Sequence, residues 1–234
     1  MSHGAAVRDA PEERLALARG VLAKAERARY SDPDPTALPV APPLTRLLPG
    51  LRRGSTVAIP EPAGATSLLF ALLAAASADG AWVGIVGRPD LGMLAAAEAG
   101  LALERVALVP APGADVVAVT MALLDGMDVV AVAPGGQVRA AERQRLAARA
   151  RQRGSVLVAL GPWQGADLEL RCSDRSWTGL APGSGRLRAC RAVVRRGGRG
   201  SAGRAREARL LLPGAEGRVT TEATQGAAPI RAAG

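Results

Sequence analysis

The chain has 234 residues and a formal net charge of +9, from 30 basic and 21 acidic side chains. This length is enough for one domain of ordinary size, and a hydrophobic content of 48% is enough to build its core. His3 is the single histidine, which excludes a Ser-His-Asp triad, a Cys-His dyad and a zinc site that uses histidine.

The positive charge is concentrated in one part of the chain. Residues 1–170 are electrically balanced, whereas residues 171–209 hold eleven Arg against only Asp174 and Glu207. The surplus therefore belongs to a C-terminal segment and not to the chain as a whole.

The sequence contains no pattern typical of a membrane or secreted protein. Its N-terminus lacks a basic-then-apolar signal pattern, and its longest uncharged run, residues 62–78, is shorter than the ~20 apolar residues of a membrane span. Cys172 and Cys190 match no zinc or redox spacing and are typical of a reducing compartment. We therefore expect a cytoplasmic protein without membrane contact, metal site or cofactor.

The N-terminal region predicts a helix followed by an extended segment. Residues 11–29 have apolar side chains at helical spacing, with Leu15, Val21 and Leu22 on the apolar face. Five prolines in residues 31–43 prevent the helix from continuing. We expect an amphipathic helix within 1–31 and a Pro-rich linker over 32–43. The helix either covers an edge of the chain's own core or docks on a partner.

Short apolar segments alternate with helical ones from residue 55 to residue 160. Strands are predicted at 56–60, 82–86, 106–109, 129–133 and 156–160, and helices at 65–77, 91–99, 116–125 and 137–153. Wholly apolar strands separated by helices are typical of an α/β fold with a parallel sheet flanked by helices.

The pattern changes after residue 160. Further strands, joined by Gly-rich turns, are predicted at 167–172, 176–179, 186–196 and 204–212. Residues 214–234 are mostly Gly, Ala, Thr and a few charges, which predicts a disordered tail. The core domain is therefore expected to span residues 44–213.

The segment between the first predicted strand and helix resembles a phosphate-binding loop that has lost its chemistry. In a loop of the G-x-x-x-x-G-K-[ST] type, backbone N–H groups cradle phosphates, the lysine reaches them and the hydroxyl holds magnesium. The equivalent window here is Ile59, Pro60, Glu61, Pro62, Ala63, Gly64, Ala65 and Thr66. Only the second glycine and the hydroxyl remain, since Ile59 replaces the first glycine and Ala65 the lysine. We interpret this window as a relict phosphate loop, although a simple strand-to-helix turn with Thr66 as a capping group has the same sequence features.

The order and spacing of these segments resemble the RecA core over residues 38–213. RecA-family recombinases begin their phosphate loop with Gly-Pro-Glu and end it with Gly-Lys-Thr-Thr-Leu, where this chain has IPEPAGATSL at 59–68. The segment 127–134, MDVVAVAP, resembles the Walker B strand, with Ala133 at the position of its acidic residue. The two DNA-binding loops of the recombinases are shortened here to turns. The resemblance implies a RecA-like fold without ATP hydrolysis or strand exchange.

A shortened, ATPase-degenerate RecA-like chain rich in Arg and Ala is similar to the ImuA family, in particular its mycobacterial-type branch. This resemblance implies a non-catalytic accessory role in SOS-induced translesion DNA synthesis. The implied partners are an ImuB-type inactive Y-family polymerase relative and, through it, the sliding clamp and an error-prone DNA polymerase, with RecA as a further candidate. The alternatives are a noncanonical P-loop ATPase, using Thr66 and a basic residue supplied elsewhere, and a basic DNA-binding protein.

Two sets of residues are candidates for intermolecular contact. The first is an Arg-Gly loop that either follows a phosphate backbone or is a solvated turn, and it contains Arg195, Arg196, Arg199, Arg204 and Arg206. The second set, for partner docking, is Leu15, Val21, Leu22 and Trp163. Exposure of Trp163 would mark an interaction surface, because it occupies the second shortened loop. Trp82 and Trp177 are expected to pack in the core.

Overall fold

The computed structural model describes residues 36–60, 63–181, 184–198 and 206–222. The strands within these ranges are β1 Thr56–Ile59, β2 Val83–Val86, β3 Val106–Val109, β4 Val129–Val132, β5 Val156–Leu160, β6 Leu168–Ala181, β7 Ser184–Gly197, β8 Arg206–Leu211 and β9 Thr220–Thr221. The α-helices are α1 Ala65–Ala78, α2 Met93–Glu98, α3 Val116–Leu124 and α4 Ala140–Arg153. The predicted N-terminal helix, with Leu15, Val21 and Leu22, lies outside the described residues.

All nine strands form one sheet, in the order β3-β2-β4-β5-β1-β6-β7-β8-β9. Neighbours from β3 to β6 pair in parallel, and β6 to β9 pair antiparallel. The prediction of an α/β fold with a parallel, helix-flanked, RecA-like core and C-terminal antiparallel strands is confirmed. The parallel strands carry apolar side chains throughout because helices cover both faces of this part of the sheet.

Leu, Val and Ala build a separate core on each face of the sheet. One cluster surrounds α1, whose Leu68, Leu69 and Leu72 are fully buried, and it also includes Ala96 of α2. The other cluster packs Leu146 of α4 against the opposite face, together with part of α3. No helix within the described part of the chain is long and apolar enough to cross a bilayer.

The described end of the Pro-rich segment packs on the core that surrounds α1. Leu38 and Leu51 form an isolated antiparallel bridge, with N···O distances of 2.9 and 2.8 Å. The bridge closes a loop that buries Leu44, Leu47 and Leu48 in the same cluster. Residues 36–51 are therefore part of the fold and cover one face of the sheet.

The C-terminal half departs from the sequence prediction in two places. The separate strands predicted at 167–172 and 176–179 form the single strand β6, because a bulge between Ser173 and Ser176 takes up one extra residue. The predicted disordered tail is wrong for residues 214–222, since Val219 is buried in the core and β9 pairs with β8. Residues 223–234 lie outside the described ranges.

Candidate functional site

The relict phosphate loop joins the carboxyl end of β1 to the first turn of α1. Gly64 caps α1 with φ of +82°, a left-handed conformation that favours glycine. A Cβ at this position would lie 2.7 Å from the Sγ of Cys172 and 3.3 Å from the Nε of Arg175. The loop is therefore in close contact with β6, and Ala65, where the lysine would stand, is buried in the core. Glu61 and Pro62 lie outside the described residues.

The hydroxyl retained in this loop is bonded to an arginine. Arg88 donates a hydrogen bond from Nη2 to the Oγ1 of Thr66, at 2.9 Å. The same guanidinium forms a bidentate pair with Asp90, at 2.9 and 3.0 Å, which holds the pKa of that carboxyl below its ordinary value of 3.8. Thr66 is therefore paired with a side chain of the protein at the position where a phosphate loop holds magnesium.

The backbone is also tightly packed at the position of the Walker B acid. Gly87, directly after β2, has φ of +78°, and a Cβ there would lie 2.0 Å from the carbonyl oxygen of Ala133. The N–H of Gly87 donates to the carbonyl of Val109, and the N–H of Ala133 donates to that of Val86, both at 2.9 Å. The carboxyl ends of β2 and β4 are thus held in backbone contact, with no carboxylate between them.

These residues do not fit a magnesium-bound nucleoside triphosphate. Pro60 has no N–H, Ala65 carries no charge, Ala133 offers no carboxylate, and the hydroxyl of Thr66 is bonded to Arg88. Among the described residues, no group of three or more His, Cys, Asp and Glu side chains is placed to hold a metal ion.

The two shortened loops after β4 and β5 line a cleft of about 480 Å³. Trp163 lies in this lining but is only 5% exposed, because its ring packs in the core cluster beneath α4. Trp163 therefore packs in the core, and the exposure that would have marked an interaction surface at this loop is not observed. Arg143 ties the two loops together by donating to the carbonyl of Val138 and, at 3.3 Å, to the Oε1 of Gln164.

The structure divides the described candidate arginines between the two faces of the sheet. Arg195 pairs with Glu207 at 3.1 Å, whereas Arg196 donates to the carbonyl of Leu47, at 3.1 Å, among the residues that cover one face of the sheet. Arg206 is the antiparallel partner of Arg196, so these two residues share a face that Arg195 does not. Arg199 and Arg204 lie outside the described residues.

Two of the three tryptophans are exposed, contrary to the expectation of core packing. Trp82 is 45% exposed and lies under the guanidinium of Arg105, 5.5 Å from the ring centroid. Trp177 is 41% exposed on the part of β6 that extends beyond β8. Trp177 stands opposite Cys190 of β7, across the turn that joins the two strands.

Comparisons with known proteins find a family profile that matches this chain and a protein with a similar sequence. The profile of the family described as MT3502 N-terminal domain matches residues 46–165, slightly more than half of the chain. An uncharacterised protein of Mycobacterium tuberculosis, Rv3395c, is 47% identical over 109 residues. That alignment covers 46% of this chain and 53% of the relative, so the chain spans about half the length of that protein.

Proposed function

We propose that this chain, which belongs to the MT3502 N-terminal domain family, is a non-catalytic RecA-like adaptor of ImuA type, acting in the cytoplasm in SOS-induced error-prone translesion DNA synthesis. It would dock on an ImuB-type inactive Y-family polymerase relative and, through that protein, act with the sliding clamp and an error-prone DNA polymerase. Contact with DNA would be secondary to these protein contacts.

The observation that supports this proposal best is the closed state of the relict phosphate loop. The hydroxyl of Thr66 is engaged by Arg88, Gly64 is packed against Cys172, and Ala65 is buried. The strand order and the strand-to-helix turn are kept while the groups needed for phosphate chemistry are absent. A fold retained under these conditions is useful as a rigid scaffold for protein contacts.

We expect docking to involve the N-terminal side of the chain. Leu38 and Val40 bring the chain onto the core, and the preceding residues contain the predicted amphipathic helix with Leu15, Val21 and Leu22. An apolar helix face that precedes a packed segment is suited to insertion into a groove of a partner. We therefore expect residues 1–31 to contribute to binding of the polymerase relative.

A direct binding measurement tests the proposal. Purified full-length chain would be titrated into the purified ImuB-type polymerase relative of the same organism, with calorimetric detection. We expect saturable binding that is weakened at least tenfold when Leu15, Val21 and Leu22 are replaced by serine. The matched control replaces Arg27, on the opposite side of the same predicted helix, and should bind like the unmodified chain.

Two results would count against this proposal in different ways. Absence of binding by the full-length chain would contradict the adaptor function itself. Binding that is unchanged after deletion of residues 1–31 would keep the adaptor function but assign docking to the core instead.

A further inference from the structure

The ends of β6 and β7 form a two-stranded ribbon that stands apart from the rest of the sheet. These strands pair as far as Ala181 and Ser184, whereas β8 accompanies β7 only between Arg191 and Arg196, and the residues that follow β8, Leu212 and Pro213, bond to Cys190. We call residues 175–181 and 184–189 the β6–β7 ribbon. An isolated two-stranded ribbon is only marginally stable in water, so one that exposes large apolar side chains is suited to binding a ligand.

One face of the β6–β7 ribbon carries an indole beside arginines. Trp177 stands opposite Cys190, so their side chains share a face, and Arg188, two residues before Cys190 on β7, lies on the same side. A Cβ on Gly179 would lie 2.2 Å from the carbonyl oxygen of Arg186 and 2.7 Å from the Cγ of Arg188, so β7 packs closely on this glycine. The indole and Arg188 therefore lie on one face of the β6–β7 ribbon.

The same face continues to the relict phosphate loop. Arg175 lies against Gly64, with its Nε 3.3 Å from the position of a Cβ there. Arg186 is exposed on the irregular segment of β7 between Gly185 and Ala189, beside Gly179. The described residues of the β6–β7 ribbon carry three Arg and no Asp or Glu.

We propose that the β6–β7 ribbon binds single-stranded nucleic acid. Trp177 would stack on an unpaired base, and Arg175, Arg186 and Arg188 would pair with the flanking phosphates. Sites of this kind combine a basic track with an exposed aromatic ring and tolerate any base sequence, since every base has a π face. A single strand fits better than a duplex, because bases inside a duplex are already stacked and do not reach the indole.

This site is distinct from the Arg-Gly loop and does not depend on the proposed adaptor function. Leu180 stands opposite Gly185 and is 64% exposed near the turn. Among the described residues of the β6–β7 ribbon only Arg carries charge, which complements a polyanion. Arg195, in contrast, is paired with Glu207 and Asp174 and is not part of this face.

Salt dependence of binding tests the role of the arginines. With three phosphate contacts, raising salt from about 50 to about 200 mM should weaken binding of fluorescein-labelled oligothymidine about 18-fold. For the double variant Arg186→Ser with Arg188→Ser, the same rise in salt should weaken binding only about threefold, as expected for one remaining phosphate contact. The matched control, Arg145→Ser with Arg151→Ser, removes equal charge from exposed positions of α4 and should keep the original slope. The double variant Arg186→Lys with Arg188→Lys keeps both positive charges and should also keep the original salt dependence of binding.

Replacement of the tryptophan tests stacking. Trp177→Ala should weaken oligothymidine binding at least about fivefold, while Trp177→Phe, which keeps a ring, should recover most of the affinity. Trp82→Ala, at the other exposed tryptophan, should have no effect. Far-UV circular dichroism of each variant would establish that the fold is intact.

Three results would overturn the proposal. The first is no binding of oligothymidine by the full chain at about 50 mM salt. The second is equal loss of affinity in the ribbon variants and in the α4 or Trp82 controls. The third is equal affinity for a duplex of the same length together with no effect of Trp177→Ala.

Discussion

Replacing Gly87 by alanine should destabilise the fold strongly, because a side chain at this position has no room beside the backbone at the end of β4. Its φ of +78° costs a residue with a side chain about 1–2 kcal/mol. In addition, the new Cβ would lie 2.0 Å from the carbonyl oxygen of Ala133, a backbone atom that cannot rotate away. Overpacking of this kind typically costs about 1–3 kcal/mol, so we expect a total loss of about 2–5 kcal/mol.

The Gly135→Ala variant is a matched control for this prediction. Gly135 has a similar φ of +67° but nothing within 4 Å of its Cβ position, so its replacement adds only the conformational cost. Urea unfolding followed by far-UV circular dichroism would give both free energies of unfolding. Equal losses in the two variants would refute the contact between Gly87 and Ala133 and, with it, the closed geometry of the Walker B position.

Three further predictions concern the core, the surface ion pairs and the relict phosphate loop. Leu47→Ala should cost about 2–5 kcal/mol in urea unfolding if residues 36–51 belong to the fold, whereas Leu94→Ala, at a side chain that is 75% exposed, should change stability by less than about 0.5 kcal/mol. Arg149 holds the pKa of the Asp125 carboxyl below its ordinary value of 3.8, so this pairing stabilises the fold above that pH and is lost as the pH falls further. The urea midpoint of the unmodified chain should therefore fall more steeply below about pH 4 than that of Asp125→Asn. Ala65→Lys should lower stability and leave phosphate release from ATP at background, because the residue is buried and Ala133 supplies no acid; measurable turnover would contradict this.

The parallel half of the fold was predictable because its signals are local. Strands such as β3 and β5 are short, wholly apolar and bounded by turn residues, so their limits agree with the sequence prediction. In β6 the limits depend on a bulge at Asp174, whose φ is 51°, and thus on pairing with β7. Nothing in the local sequence distinguishes such a bulge from a break between two strands.

The sequence predicted which functional groups the candidate site lacks, but it did not predict the contacts that its remaining side chains make. The missing lysine and acid are evident at Ala65 and Ala133, yet the bond from Arg88 to Thr66 joins loops that follow different strands. Trp177 is 41% exposed on β6, and nothing in the local pattern distinguishes its position from a buried strand position. Trp163 is buried because its short loop folds back onto α4.

Calorimetric titration of the purified full-length chain with ATP and magnesium tests the central claim most directly. That claim is that the relict phosphate loop survives as a packed turn whose hydroxyl, on Thr66, is bonded to Arg88. We expect no saturable heat at micromolar nucleotide concentrations. Saturable, magnesium-dependent binding with micromolar affinity would contradict it and would favour a noncanonical nucleotide site instead.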